Sequence, residues 1–555
     1  MSRPPSAFKR ETKFEMPIRR QFLTVTAAVL AASMLPGLSV AQDAKPVSGG
    51  KLTWGVETEP ATLNPQLNGQ DKTKLLLRNA YESLLARTAD GGYVPWLATE
   101  YKISEDGKTY TFKLRNDVTF TDGQKLNAQA VVTNFTKLKD AAYSGSVSAG
   151  PVSRIEEVKA VDDDTVSFTL KRVYAPFLDY VASLEILSPA AFASSQLKSG
   201  GTEIAGTGPF ILKRYAKGQE IQFVKNPSYH WAPKNAAHQG PAYLDDVTYR
   251  FLPESSVRAG ALTSGQVDVI EGISGNDAAL FKENADFSYQ TALNTGTPYS
   301  LFLNVTWGPT QDIAVRKALV ASIDVDAVLT AVYRGERTRA WGITSPVDPQ
   351  FYDKSIEKTY GADAKLANRL LDEAGWTTRD AEGFRSKDGK RLTIEVVQAQ
   401  ATVRDQRDVL LQALQAQARQ NAGIDLAIVF VDAGTYTDRR KTGQFGSIAN
   451  SNTPTDAIDI EYHYLPLDKG GTINYSRAAA PELSQWLNEA ASTLDNKKRF
   501  ELYAGLQRFA IVDQAYALPL YEPEDQVAAA DYVKGITFRP FKQLPESAYD
   551  IWRSE

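Results

Sequence analysis

Short segments in which apolar and polar residues strictly alternate, each bounded by a tight turn, dominate the first half of the chain. After the turn 105–108, Tyr110, Phe112 and Leu114 fall on one face of an extended chain and the intervening residues on the other. Residues 211–224 repeat the pattern around a central Lys-Gly turn. Successive side chains of a strand point to opposite faces, so these segments predict half-buried strands joined as hairpins.

Apolar residues in the second half recur instead at helical spacing. The sequence predicts helices at 72–87, 312–333, 363–374, 402–420 and, in two pieces, 481–512. It predicts buried strands at 392–397 and 426–431. No low-complexity run or linker separates a β-rich first half from a mixed second half. We therefore expect an α/β fold whose lobes share chain crossings.

The N-terminal region has the order of an export signal. Arg19-Arg20 precede an apolar run that ends near Leu35, and small residues lead to Ala41. A charged segment, a short apolar run and a small-residue site are typical of a cleaved signal peptide, here removed near Ala41. The residues RRQFL also resemble a twin-arginine signal, so export in the folded state and ordinary export of the unfolded chain both stay open.

Composition excludes several classes of protein. The chain has no cysteine, which rules out an acylated lipoprotein cysteine, disulfides, thiol catalysis and cysteine-ligated metals. Residues 1–41 hold six basic and two acidic residues, so the remainder carries a net charge of −8. Because nucleic-acid binding needs a basic surface, no nucleic-acid partner is expected. The apolar run of the signal is too short to span a bilayer, so no stable membrane insertion is expected either.

Motifs for enzymatic chemistry are missing. The sequence contains no G-x-S-x-G, H-E-x-x-H or G-x-x-x-x-G-K-[ST] pattern, and the spacing of its three histidines is not that of a metal site. The stretch Gly206-Thr207-Gly208 is followed by Pro209 and a strand pattern, whereas a dinucleotide site needs a helix N-terminus there. We expect this stretch to be scaffold, and we expect no catalytic residue, metal or cofactor.

Segments along most of the chain, from about Lys51 to Trp552, resemble the bacterial extracellular solute-binding proteins of family 5, the dipeptide-, oligopeptide- and nickel-binding type. Six matching segments follow the order that they have in the family. Along the chain they are VTFTDG…LNA at 118–128, GTGPF…NPSYHW at 206–231, LN…VRKAL…ID at 303–324, the A-x-x-L-L-x-E-A-G-W pattern at 364–376, D-x-x-x-R-x-x-L-Y at 495–503, and LPLY at 518–521.

The resemblance implies a two-lobed periplasmic-binding-protein clamp (type II, cluster C) with an extra β-rich subdomain in lobe one. Lobe one would comprise 42–297 and a C-terminal return at 515–555, and lobe two would comprise 298–514. A ligand that touches both lobes selects the closed state of such a hinge. The implied partners are a small-molecule or peptide ligand and an inner-membrane ABC permease, and we expect a monomer in the periplasm.

The resemblance also suggests where ligand would bind. Asn450 falls where peptide-binding members carry an amine-binding Asp, and a neutral amide cannot form the charge-assisted bond that a buried ammonium prefers. Asp456 or Asp459 could substitute, and Arg404 and Arg407 lie near the position of a carboxylate-binding Arg in some members. The candidate ligand-binding residues are the following: Tyr299, Arg404, Arg407, Asn450, Asn452, Thr453 and Asp456.

These features predict a binding protein that captures a peptide or peptide-like molecule and delivers it to a permease. A non-peptide solute, such as an opine, an oligosaccharide or a nickel or iron chelate, stays open as an alternative. An exported hydrolase with a carboxylate pair is the alternative of another class, because any two of the 66 acidic residues could converge. A periplasmic receptor that presents ligand to a membrane sensor would use the same clamp.

Overall fold

The alternating segment Thr109–Leu114 forms the strand that its pattern predicts, with Tyr110, Phe112 and Leu114 all buried. The computed structural model describes residues 45–68, 76–143, 146, 148–348, 350–452, 458–469, 473–538 and 547–554. In this part of the chain, Thr109–Leu114 lies inside an antiparallel four-stranded sheet, the predicted β-rich subdomain, with the strand order Ala98–Ile103, Thr109–Leu114, Thr165–Leu170 and Ile155–Ala160.

A seven-stranded mixed sheet is the frame of the first lobe. Its strands follow the order Phe287–Leu293, Glu524–Ala530, Val269–Glu271, Lys51–Val56, Asp246–Phe251, Glu220–Lys225 and Phe210–Ala216. Lys51–Val56 runs parallel to both of its neighbours, and the hairpin at 210–225 is antiparallel, as its turn predicts. The second strand in the order comes from the C-terminal part of the chain, so this lobe is built from both ends of the sequence.

A five-stranded sheet is the frame of the second lobe. Its strands follow the order Asp425–Val431, Thr393–Ala399, Ser447–Asn450, Tyr299–Leu303 and Ala517–Tyr521. One face packs on a cluster that contains Leu301 and Leu518, and the other on a cluster that contains Phe302 and Ile448. Because neighbouring residues of one strand belong to different clusters, both faces of this sheet are covered.

Helices and short strands complete the described part. The α-helices are Ala128–Lys137, Phe177–Ser183, Ser255–Thr263, Gly275–Lys282, Ile313–Ser322, Val325–Tyr333, Ala364–Glu373, Arg407–Ala422, Ala433–Thr442, Ile458–Tyr464, Pro481–Ala491 and Asn496–Gln507. Shorter helical turns are Ala141–Tyr143, Pro151–Arg154, Pro189–Ala193, Gly308–Gln311, Lys354–Ile356, Gln400–Thr402, Leu467–Lys469 and Arg508–Asp513. Small sheets pair Leu85–Arg87 with Tyr93–Pro95, Val533–Lys534 with Trp552–Arg553, and Thr378–Arg379, Arg385–Lys387 and Lys390–Arg391 with one another.

Three of the predicted helices differ from the structure. The predicted helix 402–420 begins only at Arg407, because Asp405 and Gln406 both have a φ of 52°. The described part of 72–87 is helical only at its beginning and ends in the strand Leu85–Arg87, because Ser83 and Leu84 accept backbone hydrogen bonds from the segment 97–98. The predicted helix 312–333 is two helices, because Ile323 is extended and Asp324 caps the second helix through its side chain. Tertiary pairing and a local cap therefore override helical spacing at these points.

Two adjacent crossings join the lobes. The chain leaves the seven-stranded sheet after Leu293 and enters the five-stranded sheet at Tyr299. It returns between Tyr521 and Glu524, and Asn294 donates a backbone hydrogen bond of 2.8 Å to the Pro523 carbonyl. The boundaries at 297/298 and 514/515 stay predictions; the last strand of the second-lobe sheet is Ala517–Tyr521.

Candidate functional site

The segment Asn450–Asn452 lies at the end of the second-lobe sheet that faces the crossings. Asn450 is opposite Ser300 on the neighbouring strand. The backbone N–H of Asn452 donates a hydrogen bond of 3.1 Å to the Thr297 carbonyl at the first crossing. Parallel strands present their C-terminal ends at one edge, which is where α/β sheets bind ligands. The predicted site residues Thr453 and Asp456 lie outside the described residues, and the side chain of Asp459 is not described either.

Both ends of the Asn450 amide are engaged inside the protein. Its Nδ2 donates to the Tyr475 hydroxyl at 2.6 Å, and its Oδ1 accepts from the Ser451 amide at 2.6 Å. The Asn452 amide group lies 3.2 Å from Nε2 of His463. Burial lowers the pKa of His463 to about 3, so this imidazole is neutral over the physiological range. The described part of this wall is therefore neutral.

Arg407 contacts one other predicted site residue, Tyr299, and two residues that the sequence analysis did not single out, Ser451 and Tyr521. Its guanidinium lies 4.1 Å from the centre of the Tyr299 ring, and its Nη2 donates to the Ser451 hydroxyl at 3.0 Å. Its Nε donates to the Tyr521 hydroxyl at 3.0 Å. Burial alone would lower the pKa of Arg407, but Tyr521, Tyr299 and a nearby carboxylate outweigh it and raise the pKa. Arg407 is thus a buried cation that ties both crossing strands to the wall at 450–452.

Arg404 is more exposed than Arg407. The exposed fraction of the Arg404 side chain is 33%, whereas the whole residue Arg407 is 2% exposed. The Arg404 Nε lies 3.7 Å from Asp405. Asp405 and Gln406 both have a φ of 52°, an uncommon conformation for residues other than glycine, and they lead directly into the helix Arg407–Ala422. The loop therefore holds Arg404, about a third of whose side chain is exposed, within electrostatic reach of Tyr299 at the first crossing.

A buried ion-pair network that sequence reasoning missed connects this loop to the first lobe. Arg337 donates to Glu524 at 2.6 Å and to Asp405 at 3.5 Å. Glu524 begins a strand of the seven-stranded sheet, whereas Asp405 belongs to the second lobe. The sequence offered only a weak signal for Arg337: it is one of two arginines, at two and four residues after Gly335, that follow the end of a helix.

The stretch that begins at Gly206 is scaffold, as the sequence predicts. A Cβ on Gly206 would lie 2.2 Å from the Ala80 carbonyl oxygen, and one on Gly208 would lie 2.5 Å from Ala80 backbone atoms, so both positions need glycine. Four side-chain donors surround the buried Glu82 carboxylate, at 2.6–3.1 Å: Trp96, Thr207, Tyr229 and Trp231. Burial raises the pKa of Glu82 to about 8 although these donors oppose the shift.

Neither a metal centre nor a membrane span is found in the described ranges. No group of three or more His, Asp or Glu side chains there could hold a metal ion. His463 stacks on Phe302, and His238 stacks on two tyrosines. Within the same ranges no helix combines the length and apolar character that crossing a bilayer requires.

Comparison with known proteins gives consistent matches. Residues 92–474 match the family described as bacterial extracellular solute-binding proteins, family 5. The chain is 28% identical to the nickel-binding periplasmic protein of Escherichia coli over 88% of this chain and 91% of that protein, and 28% identical to the dipeptide-binding protein of the same organism over 85% and 89%. The periplasmic binding protein DppA of Helicobacter pylori, in complex with the peptide STSA, superimposes with a TM-score of 0.77 at 25% identity, over 92% of this chain and 99% of that one.

Proposed function

Since this chain belongs to the bacterial extracellular solute-binding proteins of family 5, whose members are substrate-binding components of transporters, we propose that it captures a peptide or peptide-like molecule between its lobes and delivers it to an ABC permease. The observation that carries the proposal is the position of Arg404, a cation whose side chain is 33% exposed and which lies within electrostatic reach of Tyr299 at the first crossing.

The crossings supply the hinge that such a protein needs. They lie side by side, and further polar contacts join the lobes: Lys282 pairs with Glu336 at 2.6 Å next to the Arg337 network, Arg154 pairs with Glu461, and Gln350 donates to the Asp90 carbonyl at 3.0 Å. Contacts of this kind form only when the lobes are together. A ligand that bridges the lobes adds its own contacts to these and shifts the population to the closed state.

Arg404 is the residue we assign to a ligand carboxylate. A guanidinium binds a carboxylate with two parallel charge-assisted hydrogen bonds. Arg407 is buried and already bonded to Tyr521 and Ser451, so we assign it to the support of the site. The same supporting role is assigned to three more of the predicted residues: Tyr299, Asn450 and Asn452. Further ligand contacts are assigned to the segment that comes next in sequence, at Thr453 and Asp456.

The setting of this activity is also part of the proposal. The signal at 19–41 would export the protein and be cleaved near Ala41, and because the sequence has no cysteine the mature N-terminus would carry no lipid anchor. The protein would act as a periplasmic monomer that binds its ligand without converting it. No catalytic residue is assigned, in agreement with a family of transport components.

A thermal-shift screen of residues 42–555 tests the function. Alanine peptides of two to five residues, opines, oligosaccharides and nickel or iron chelates serve as ligands. A ligand at 100 times its Kd stabilises the protein by about 2.7 kcal/mol, so binding raises the melting temperature. We expect peptides to do so and to be recovered unchanged. A shift by another class alone, or cleavage of the peptide, would contradict the proposal.

The role of Arg404 is tested by titration calorimetry on Arg404→Met. Loss of a charge-assisted contact predicts at least tenfold weaker peptide binding. Arg369→Met is the matched control, because Arg369 is 64% exposed on a helix of the second lobe. Unchanged affinity in Arg404→Met would remove Arg404 from the site.

A further inference from the structure

A further contact surface between the lobes lies on the β-rich subdomain. It is formed by Arg154 and residues 172–175 of the first lobe and by four residues of the second lobe, Glu461, Tyr462, Asn488 and Ala491, and we call it the subdomain interface. None of these residues belongs to the two crossings or to the strands that lead into them. The interface therefore joins the lobes at a place other than the hinge.

The end of the helix Pro481–Ala491 enters the first lobe. Ala491 is 3% exposed and belongs to the main apolar cluster of the first lobe, whereas its neighbour Ala490 packs in a cluster of the second lobe. The last carbonyls of a helix have no partner within it, and the Ala491 carbonyl accepts a hydrogen bond of 2.8 Å from the backbone N–H of Ala175. The cores of the two lobes thus share one helix end.

Polar side chains extend this contact. Arg154 pairs with Glu461, and the exposed fractions of these two side chains are 21% and 10%. The Arg154 guanidinium also lies 4.2 Å from the centre of the ring of Tyr174, a buried residue. Arg172 donates to the Asn488 side chain at 3.4 Å. The subdomain interface is thus an apolar contact with a shielded ion pair beside it, and both are lost when the lobes separate.

The helix Ile458–Tyr464 connects the subdomain interface with the candidate site. Glu461 contacts the first lobe, and His463, in the same helix, lies 3.2 Å from the Asn452 side chain. Successive residues of a helix are rotated by about 100°, so two residues that are two positions apart lie on nearly opposite sides. One short helix therefore contacts the first lobe on one side and the wall that carries Asn452 on the other.

We propose that the subdomain interface is a latch, which stabilises the closed state of the clamp without contacting the ligand and so regulates how tightly the ligand is held. This inference rests on the proposed function. The apparent affinity for a ligand falls when the closed state is less populated. A change in the latch should therefore alter the affinity for every ligand of the cleft by the same factor, whereas a change in a ligand contact acts selectively.

Ala491→Glu tests the latch. Burying a charged side chain in the apolar cluster of the first lobe is costly, whereas position 491 is at the surface of the second lobe once the lobes separate, so the variant opens the clamp and leaves each lobe folded. Ser492→Glu is the matched control, because it adds the same charge at the exposed neighbouring position. Arg154→Met is a milder second variant, because it removes a cation that Glu461 faces only while the lobes are together.

Two measurements follow the variants. The chain has no cysteine, so spin labels attach only at cysteines that are introduced for the purpose. Labels at Lys213 and Lys365 report the separation of the lobes, and labels at Lys102 and Lys213 report whether the subdomain moves relative to the first-lobe sheet; all three positions are exposed. Double electron–electron resonance gives the distances between labels without peptide, and calorimetry with tetraalanine gives the affinity.

We expect Ala491→Glu to lengthen the distances between labels at Lys213 and Lys365 and to weaken tetraalanine binding roughly tenfold. Arg154→Met should change both in the same direction by less, and Ser492→Glu should change neither. Distances in Ala491→Glu that equal those of the unaltered protein would overturn the latch, and Arg154→Met decides the question if Ala491→Glu does not fold.

The spin labels also separate this inference from the proposed function. A distance between labels at Lys102 and Lys213 that lengthens as the clamp opens would overturn the latch, because the subdomain would then remain attached to the second lobe. If the unaltered protein binds none of the alanine peptides, the proposed function fails, and the distances between labels still decide whether the subdomain interface holds the lobes together.

Discussion

Replacing Arg337 with methionine should destabilise the protein by about 3–5 kcal/mol, the usual cost of removing one partner from a buried ion pair. The side chain of Arg337 is 6% exposed, and its partners Glu524 and Asp405 are 11% and 18% exposed, so solvent screens the network weakly. Methionine fills similar space but leaves both carboxylates without this cation. Urea denaturation followed by tryptophan fluorescence and by circular dichroism measures the loss, with agreement of the two signals as the check on a single transition.

The deficit of Arg337→Met should also depend on pH. Burial raises the pKa of Glu524, and Arg337 opposes that shift, so the variant raises it further. A carboxyl group with a raised pKa in the folded state contributes stability at low pH that is lost as the pH rises through that pKa. The deficit should therefore be larger at pH 8 than at pH 5. Adding Glu524→Gln to Arg337→Met should recover part of the loss, because it removes one of the two carboxylates that lost this cation and leaves Asp405.

Lys282→Met is the control for this experiment. The Lys282–Glu336 pair is about as short but its side chains are 39% and 32% exposed, and surface pairs contribute only about 0–1 kcal/mol. A deficit below about 1 kcal/mol in Arg337→Met at both pH values, no larger than that of the control, would refute the assignment of a buried network to this crossing.

Three further substitutions have expected outcomes. Gly208→Ala should lower the melting temperature sharply, because a Cβ would lie 2.5 Å from the Ala80 backbone, while calorimetry of any folded material shows unchanged peptide affinity. His463→Phe should reduce the loss of stability between pH 6.5 and pH 4 in urea titrations, because a histidine whose pKa is lowered to about 3 stabilises the fold above its ordinary pKa and that stability is lost on acidification. Asn450→Leu should lower the free energy of unfolding by about 1–3 kcal/mol in the same assay, because it leaves the Tyr475 hydroxyl and the Ser451 backbone amide without their partner. Tyr475→Phe should cause a loss of similar size, and the two losses should not add in the double variant.

The parts of the fold that the sequence predicted are those that local pattern determines. Alternation placed Tyr110, Phe112 and Leu114 in a core because the period of a strand is two and a tight turn sets the register. The prediction for 79–87 failed because strand pairing overrides helical spacing there: Leu85–Arg87 is extended by forming a hairpin with Tyr93–Pro95, and three-residue strands are too short to show an alternating pattern.

The candidate site was partly predictable from the family resemblance, which indicated the segments that would carry it. Tyr299, Arg407 and the 450–452 segment were predicted to lie together, and the structure joins them through hydrogen bonds to Arg407 and a ring contact. Whether they contact ligand stays a prediction. Arg337 was missed because its partner Glu524 is far away in sequence and no spacing pattern links the two.

The strand Glu524–Ala530 lies between Phe287–Leu293 and Val269–Glu271, yet it is among the last segments to be synthesised. Until it is made, the first-lobe sheet is divided, and two strand edges that are internal in the finished protein remain open. The second-lobe sheet, whose strands all come from 299–521, is complete before that point. The order of translation therefore favours folding of the second-lobe sheet first, because the first-lobe sheet cannot be completed until the C-terminal part of the chain has been made. During that interval the open edges are where wrong pairing with another chain would begin.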